Sequence, residues 1–477
     1  MTTLVFVHGW SVTNTSTYGL LPERLQAQAA SAGVTLTLAD IWLSEYVSFD
    51  DVVTMADVVR GFDHALRDLH LQDASFVCIT HSTGGPVVRE WLRAQRERPQ
   101  AFSTIRLTHL MMLAPANFGS ALAQLGKGVL SRLRAWAGGV EPGQRILDWL
   151  ELGSSESLSL NLDHIHGDDV AERGQFLFVL TGDRPDRSLY DHINSYTGED
   201  GSDGVVRIAA ANLNARHAVL ARQSSGDDQT LAINATVAPR TAFKLIPGAA
   251  HSGLEQGVMT AAPQATVDAL LRCLQVRDVT GYRQLCDAFD AENAQRDAAR
   301  VEKEPVGPFS PRIHIHDPRS MLVVRLTDEA GEPLLGARLL FEAGQPPNPD
   351  WMPQGFMLDR QANSRQGHVI TFFLNHGLLA GSARVADPDN SRRTLRAATD
   401  GHRPYSATIE PGDLTGLVHH AIASTASSDD LFLILAPHQT TVLDVVLPRQ
   451  VREGVFRLTQ KREPEDFSHP VAGEVIP

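Results

Sequence analysis

Short apolar runs alternate with helical patterns over about the first 280 residues of the chain. The apolar runs are rich in β-branched residues, as expected of buried strands. Between them, apolar residues recur at three- and four-residue spacing, the period of one helix face. The predicted strands cover residues 4–7, 34–42, 74–80, 106–113, 176–181, 205–209 and 242–246, and the predicted helices cover 20–29, 49–69, 84–95, 264–274 and 282–301. This alternation predicts a mostly parallel sheet with crossover helices.

Two regions interrupt the alternation. Residues 119–170 hold two helical pieces and no predicted strand, which favours a helical cap or lid inserted between two strands. Residues 303–318 contain four prolines and are predicted to form a linker. Further strands are predicted beyond it, at 321–327, 337–341, 369–374, 430–435 and 441–447. The chain is therefore predicted to contain an α/β domain over 1–302 and an all-β, sandwich-like domain over 319–477.

The charge balance narrows the class of partner. Lysine and arginine number 42 against 56 aspartates and glutamates, which gives a formal net charge of −14. Nucleic-acid binders normally carry a basic excess, so no nucleic-acid partner is predicted. A mostly anionic surface also disfavours permanent attachment to acidic lipid, so contact with a membrane is expected to be local and transient.

The cysteines and the first residues bear on the compartment. Three cysteines are too few for a disulfide framework, which favours a reducing compartment. Residues 1–9 enter an apolar run at once, without the basic segment and long apolar core of a signal peptide. No stretch reaches the roughly 18–20 apolar residues of a spanning helix. The sequence predicts a protein that is cytoplasmic, or exported without a signal peptide.

A serine stands between the predicted strand 74–80 and the helix that follows it. The junction reads His81-Ser82-Thr83-Gly84-Gly85, and strand, sharp turn, serine, small residues and helix are the parts of a nucleophile elbow. Such a turn lifts the hydroxyl of Ser82 above the positive end of the helix. It also aims the backbone N–H of Thr83 at a developing oxyanion. The alternative is an ordinary strand-to-helix turn that contains a serine.

The loop after the first strand is a candidate for the second oxyanion donor. Residues 5–7 form a strand that ends in His8-Gly9, and the N–H that follows belongs to Trp10. If the loop turns later, the donor would be Ser11 or Val12 instead.

Together these motifs resemble those of the α/β-hydrolase superfamily, and in particular its serine lipases and phospholipases. The residues that carry the resemblance are His8-Gly9-Trp10, His81-Ser82-Thr83-Gly84-Gly85 and the Leu-Ala-Pro-Ala-Asn-Phe-Gly stretch of 113–119. The resemblance extends over about residues 3–275. Thr80 departs from the pattern, because this family usually has glycine or alanine there. The family order is serine, acid, histidine, which implies an acid and a histidine downstream of Ser82.

The resemblance points to one histidine and, of two candidate aspartates, favours Asp203. His251 follows the late strand 242–246 in a short loop, where the family carries the base that accepts the serine proton. His192 and His217 are rivals that close no late strand. Asp203 lies in a Gly-Ser-Asp-Gly-Val-Val segment similar to the one that carries the acid in many lipases. Asp183, directly after strand 176–181, is its competitor.

The insertion carries a feature that bears on the substrate. Its apolar residues form one stripe along a predicted helix: Leu122, Leu125, Val129, Leu133 and Trp136. Such a helix serves either as an acyl-binding lid that meets lipid when open or as a cap packed permanently on the core. No metal is predicted, since no EF-hand spacing or clear ligand set is present, and no cofactor is predicted.

The sequence thus predicts a serine carboxylic-ester hydrolase acting on lipids, a lipase or phospholipase with an acyl-enzyme intermediate. An acyltransferase or thioesterase with the same triad, or a non-catalytic binding protein on the same fold, are the alternatives. The architecture is also similar to that of phospholipase effectors delivered by bacterial type VI secretion, which need no signal peptide. The predicted partners are a lipid or ester substrate and, for the C-terminal β-domain, a candidate protein partner.

Overall fold

The structure is a computed structural model. It describes residues 2–8, 17–48, 50–71, 75–125, 143–184, 199–222, 231–304, 311–380, 384–399, 404–410, 418–420, 423–424, 434–447 and 449–451.

The described elements follow one another in chain order. The strands are β1 (Thr2–His8), β2 (Leu36–Trp42), β3 (Ser75–His81), β4 (Arg106–Leu113), β5 (Phe176–Gly182), β6 (Arg216–Arg222), β7 (Leu231–Val237), β8 (Ala242–Ile246), β9 (Val301–Glu304), β10 (Arg312–Ile315), β11 (Arg319–Asp328), β12 (Arg338–Ala343), β13 (Met357–Ala362), β14 (Val369–Asn375), β15 (Val385–Asp387), β16 (Asn390–Arg396), β17 (Tyr405–Glu410), β18 (Val418–His420), β19 (Ala423–Ser424), β20 (Thr440–Leu447) and β21 (Arg449–Val451). The helices are α1 (Leu21–Ser31), α2 (Leu43–Tyr46), α3 (Met55–Asp68), α4 (Gly84–Glu97), α5 (Gln144–Leu150), α6 (Ser155–His166), α7 (Ile208–Ala211), α8 (Gln264–Leu274), α9 (Val279–Ala298) and α10 (His376–Leu379).

The first sheet has six parallel strands in the order β2-β1-β3-β4-β5-β8. Successive side chains of β1 enter different cores. Val5 and Val7 pack with α3 and α4, whereas Leu4 and Phe6 pack with α1, α8 and α9. Since side chains alternate across a strand, helices on both faces explain why these strands are continuous apolar runs. The predicted parallel sheet with crossover helices is confirmed.

One predicted strand, 205–209, is wrong, because the chain turns there and enters the short helix α7. The Asp203 carboxylate accepts the backbone N–H groups of Val205 and Val206 at 3.0 and 2.8 Å. Those two donors are therefore not available to a neighbouring strand. Local bonding from an aspartate competes with strand pairing in this way even where the residues are β-branched.

The helix predicted over 49–69 begins later, at Met55. Thr54 caps it. The Asp57 N–H donates to the Thr54 hydroxyl at 3.3 Å, and the Thr54 N–H donates to the Asp57 carboxylate at 3.0 Å. This reciprocal pair is a capping box, which satisfies two backbone donors that a helix start leaves without partners.

The second sheet has six strands in the order β13-β14-β11-β20-β6-β7. It is mixed, since β20 runs parallel to both β11 and β6 while the other pairs are antiparallel. No strand was predicted over β6 and β7. The domain division at 303–318 stays a prediction, and strand pairing crosses it in two ways. Residues 216–237 supply two strands to the second sheet, and β9 pairs with β10 around residues 305–310.

The second sheet lies between two cores. On one face it packs against the three-stranded sheet β12-β17-β19, where the rings of Phe341 and Phe372 meet edge to face at 5.5 Å. On the other face Met321 and Val323 of β11 join the core of the first sheet. The sandwich-like region predicted for the C-terminal part is therefore confirmed, and it is continuous with the α/β core.

Candidate active site

Ser82 lies in the sharp turn between β3 and α4. Its backbone φ is 54°, a left-handed conformation that costs a non-glycine residue about 1–3 kcal/mol. The Ser82 N–H donates to the Leu113 carbonyl of β4 at 3.0 Å, and the Val87 N–H donates to the Thr83 carbonyl at 3.1 Å. The half-buried serine therefore stands at the positive end of the α4 dipole, where negative charge is stabilised.

Two glycines allow α4 to pass close to the sheet. A Cβ added to Gly85 would lie 2.9 Å from the Cβ of Pro115, and one added to Gly84 would lie 3.3 Å from the Cβ of Thr80. Thr80 itself is buried. The threonine that departs from the family pattern is thus accommodated because its neighbour across the turn has no side chain.

Asp203 and His251 form a buried pair. The His251 Nδ1 lies 2.9 Å from Asp203 Oδ2, and both side chains are fully buried. The other carboxylate oxygen accepts the N–H groups of Val205 and Val206, and the His251 N–H donates to the Asp203 carbonyl at 2.9 Å. Backbone donors thus hold the carboxylate, and the carboxylate holds the imidazole with its proton on Nδ1. That tautomer leaves Nε2 as the basic nitrogen.

His81 links this pair to the serine turn. It immediately precedes Ser82, its ring centroid lies 4.6 Å from that of His251, and its Nε2–H donates to the His251 carbonyl at 3.0 Å. Burial, reinforced by the nearby His251, lowers the pKa of His81 to about 3, so this ring stays neutral. No role was predicted for His81 from the sequence. The only available signal was its place directly before the nucleophile in the motif.

The competing acid and the rival histidines lie elsewhere. The Asp183 carboxylate accepts the Gly248 N–H at 2.8 Å and pairs with Arg296. His217 lies on β6 of the second sheet, where it bonds to Asp444 at 2.9 Å. His192 falls outside the described residues. Asp203 is thus the aspartate that contacts His251.

Of the two predicted oxyanion donors, the structure describes only Thr83. Thr83 precedes the first residue of α4. Trp10 and its alternatives Ser11 and Val12 lie outside the described residues. The end of β1 that leads towards them is fixed, since the buried His8 ring lies 3.2 Å from Asp40.

The predicted lid stripe is described only at its start. Leu122 and Leu125 lie in a short 3₁₀ helix, Ala121–Leu125, and Leu122 is buried in the first core. Val129, Leu133 and Trp136 lie outside the described residues.

Two features are absent from the described part of the chain. It contains no group of three or more His, Cys, Asp or Glu side chains arranged to hold a metal ion. It also contains no helix long and apolar enough to cross a membrane.

A parallel sheet in this strand order, with a serine elbow after β3 and a buried Asp–His pair beyond it, defines an α/β-hydrolase. The chain matches the structure of phospholipase PlaB from Legionella pneumophila with 35% identity and a TM-score of 0.83, and the match covers 100% of both chains. The structure of that phospholipase in complex with thio-NAD gives the same values. The chain therefore belongs to the PlaB family of phospholipases, and the predicted resemblance to serine lipases and phospholipases is confirmed. The further similarity to type VI effectors stays a prediction.

More distant structures add nothing to this assignment. The mature lipase BlEst2 from Bacillus licheniformis is 16% identical, with a TM-score of 0.30 over 44% of this chain and 79% of its own. No family model and no curated protein matches the chain.

Proposed function

We propose that this chain is a phospholipase that hydrolyses carboxylic-ester bonds of phospholipids through an acyl-serine intermediate on Ser82. The observation that carries the proposal is the buried Asp203–His251 pair, which His81 ties to the serine elbow. The full-length match to a phospholipase supports a phospholipid as the substrate.

In the first half-reaction the Ser82 hydroxyl oxygen attacks the ester carbonyl and its proton passes to His251 Nε2. Asp203 stabilises the resulting imidazolium through the bond at Nδ1. The N–H groups of Thr83 and Trp10 are proposed to stabilise the negative oxygen of the tetrahedral intermediate. Collapse of the intermediate breaks the bond to the glycerol oxygen. The alcohol leaves with the proton from His251, and the acyl group stays on Ser82.

In the second half-reaction water replaces the alcohol. His251 accepts a proton from water as the water oxygen attacks the acyl carbonyl, then returns that proton to the Ser82 oxygen as the fatty acid leaves. The two halves need the same tautomer of His251, which the bond to Asp203 maintains. Asp203 thereby acts in both steps without changing its own protonation.

The insertion after β4 is proposed to contact the acyl chain. Since Leu122 is anchored in the core, the acyl contact would fall to the later members of the stripe, Leu125, Val129, Leu133 and Trp136. A net charge of −14 agrees with a lipid contact that is local and short-lived, because an anionic surface is repelled by anionic lipid.

Fatty-acid release from phospholipid vesicles tests the proposal. The wild-type protein is expected to produce free fatty acid and lysophospholipid, and Ser82→Ala is expected to lose at least about 10³-fold of that rate. Ser31→Ala, which changes an exposed serine of α1, is the matched control and should retain full activity.

The products separate the remaining alternatives. Release of the head group with both acyl chains retained would contradict ester hydrolysis at the acyl position. Preferential transfer of the acyl group to an added alcohol would identify an acyltransferase. Undiminished hydrolysis by Ser82→Ala would contradict the assignment of the nucleophile.

A further inference from the structure

A cavity of about 550 Å³ lies at the amino-terminal ends of strands β4 and β5, whereas Ser82 lies at the carboxyl-terminal end of β3. Ser82 follows the carboxyl end of β3, whereas Arg106 begins β4 and Gln175 directly precedes β5. Because the strands are parallel, the cavity and Ser82 lie at opposite ends of the strands. Helices α4 and α6 and the segment 167–173 between α6 and β5 supply the remaining walls. The cavity is therefore separate from the candidate active site.

The walls of this cavity carry an excess of positive charge, although the chain as a whole is anionic. Five arginines line it against two aspartates: Arg89, Arg93, Arg96, Arg106 and Arg173, with Asp163 and Asp168. Arg93 pairs with Glu90 and Arg96 with Asp163, whereas the pair of Arg173 with Asp168 is exposed to solvent and holds Arg173 only weakly. Arg89 and Arg106 pair with no carboxylate within the described ranges.

Arg89 is the unusual member of the set, because it is only 5% exposed. Its Nη1 donates to the side-chain oxygens of Asn117 and Asn161 at 3.1 and 3.0 Å. Its Nη2 is buried and bonds to no acceptor among the residues that the structure describes. Burial lowers the pKa of Arg89 to about 10, which leaves it cationic at neutral pH. Glu90 and Asp163 act on the charge of Arg89 but form no ion pair with it, so among the described residues no anion is bonded to this buried cation.

A second buried nitrogen lines the same cavity. The Nε2 of His164, on α6, likewise bonds to no partner in the described part of the chain. Burial, followed by the nearby charge of Arg89, lowers the pKa of His164 to about 3. The ring is therefore neutral, and because its other nitrogen bonds to the backbone of Leu213, Nε2 can accept a hydrogen bond from a ligand hydroxyl.

We propose that this cavity binds the phosphate group of a small phosphorylated molecule, with Arg89 beneath it and the exposed Arg106 and Arg173 at its mouth. Guanidinium groups bind phosphate through paired, charge-assisted hydrogen bonds. The walls also include Leu92 and Leu160, which suit the carbon skeleton of such a ligand. A volume of this size falls within the usual range for small-molecule sites, about 300–1,000 Å³.

Titration calorimetry of the full-length protein with inorganic phosphate and with glycerol 3-phosphate tests the site. Saturable binding is expected, and it should weaken as salt is added. Arg106→Glu and Arg173→Glu are each expected to weaken it roughly 10- to 100-fold. Both side chains are exposed, so these variants should fold. Arg392→Glu, at an exposed position of β16, makes the same charge change away from the cavity and should bind as the wild type does.

The source of the phosphate is tested separately. Vesicles of diether phosphatidylcholine, with and without diether phosphatidic acid, present a lipid phosphate that an ester hydrolase cannot cleave. Binding to the phosphatidic acid vesicles alone, lost in Arg106→Glu, would support the site and assign its phosphate to a lipid head group. Absence of binding to all four probes would overturn the proposal, as would binding that survives in both cavity variants. Ser82→Ala should bind as the wild type does, and a loss of binding there would place the ligand in the active site instead.

Discussion

Arg207 joins the loop that carries Asp203 to the second sheet, and the variant Arg207→Met tests that connection. The guanidinium is 2% exposed and lies between two carboxylates. The Glu199 carboxylate accepts two hydrogen bonds from it, at 2.9 and 3.1 Å. The Asp359 carboxylate of β13 accepts one from the other side, at 2.5 Å. The same group stacks over the ring of Phe373 at 4.3 Å. Methionine keeps most of the volume and removes the charge.

The position of Arg207 makes this contact important for the site. The Ile208 N–H, next to Arg207, donates to the Gly201 carbonyl at 2.9 Å and closes the loop around Asp203. Asp359 and Phe373, in contrast, belong to the second sheet. We therefore expect the second sheet to hold the loop in the geometry that places the Asp203 carboxylate on His251.

The expected magnitude follows from burial. Removing one partner of a buried ion pair leaves an uncompensated charge and costs about 3–5 kcal/mol. Burial already raises the pKa of Glu199, against the charge of Arg207, so removing that charge should raise it further. A carboxyl group with a raised pKa in the folded state destabilises the fold where it must ionise, at higher pH. The loss of stability should therefore be larger at pH 8 than at pH 5.

The assay combines urea unfolding at both pH values with kcat and KM for a soluble ester. Arg207→Met should unfold at lower urea and show a reduced kcat with a smaller change in KM. Adding Glu199→Gln and Asp359→Asn should recover much of the stability, since the two carboxylates left without Arg207 are then neutral. Arg60→Met removes an exposed pair with Asp57 and should cost no more than about 1 kcal/mol. If Arg207→Met matched the wild type in stability and in kcat, the inference that the second sheet holds the Asp203 loop in place would be refuted.

Three further predictions concern the candidate site itself. Asp203→Asn should lower kcat by roughly 10⁴-fold. Asp183→Asn should mainly reduce stability, because the Asp183 carboxylate pairs with Arg296 and accepts a backbone N–H. Esterase kinetics and thermal unfolding of both variants distinguish the two effects. His81→Phe should lower kcat about tenfold by removing the hydrogen bond to the His251 carbonyl. Because burial lowers the pKa of His81, its neutral form stabilises the fold above about pH 6.5, and that stability is lost as the pH falls towards 3. His81→Phe should therefore flatten the pH dependence of unfolding. Gly85→Ala should destabilise the fold by about 1–3 kcal/mol, since its Cβ would meet Pro115, and urea unfolding measures that loss.

Local patterns in the sequence were enough to predict most elements of the first sheet. The strand predicted over 106–113 and the helix over 264–274 have the observed bounds. Both are set by continuous or periodic burial, which is visible in the order of the residues alone. The helix predicted from 49 starts at Met55 because a capping box outweighs the apolar pattern before it.

Long-range pairing could not be read from such patterns. Ala218 of β6 lies beside Leu443 of β20, and nothing in either segment indicates which sheet it joins. For the same reason the sequence could not connect Arg207 with Asp359. A residue pattern indicates that a strand is buried, but which strands pair with it depends on the fold of the whole chain.

The candidate site divides in the same way. The turn around Ser82 has a local sequence signature, since it needs glycines at fixed positions after the serine. The signature of the acid is weaker, because a Gly-Ser-Asp-Gly-Val-Val segment favours Asp203 but Asp183 also follows an apolar run in a loop. The contacts that separate them, with His251 in one case and Arg296 in the other, join segments far apart in the chain.

The most direct test of the proposed mechanism is mass spectrometry after reaction with a fluorophosphonate, which modifies activated serines. The wild-type protein should gain a single adduct, and peptide mapping should locate it on Ser82. His251→Ala should react far more slowly, while Ser31→Ala should react at the wild-type rate. An adduct on a different residue, or equal labelling of Ser82 in His251→Ala, would contradict the account.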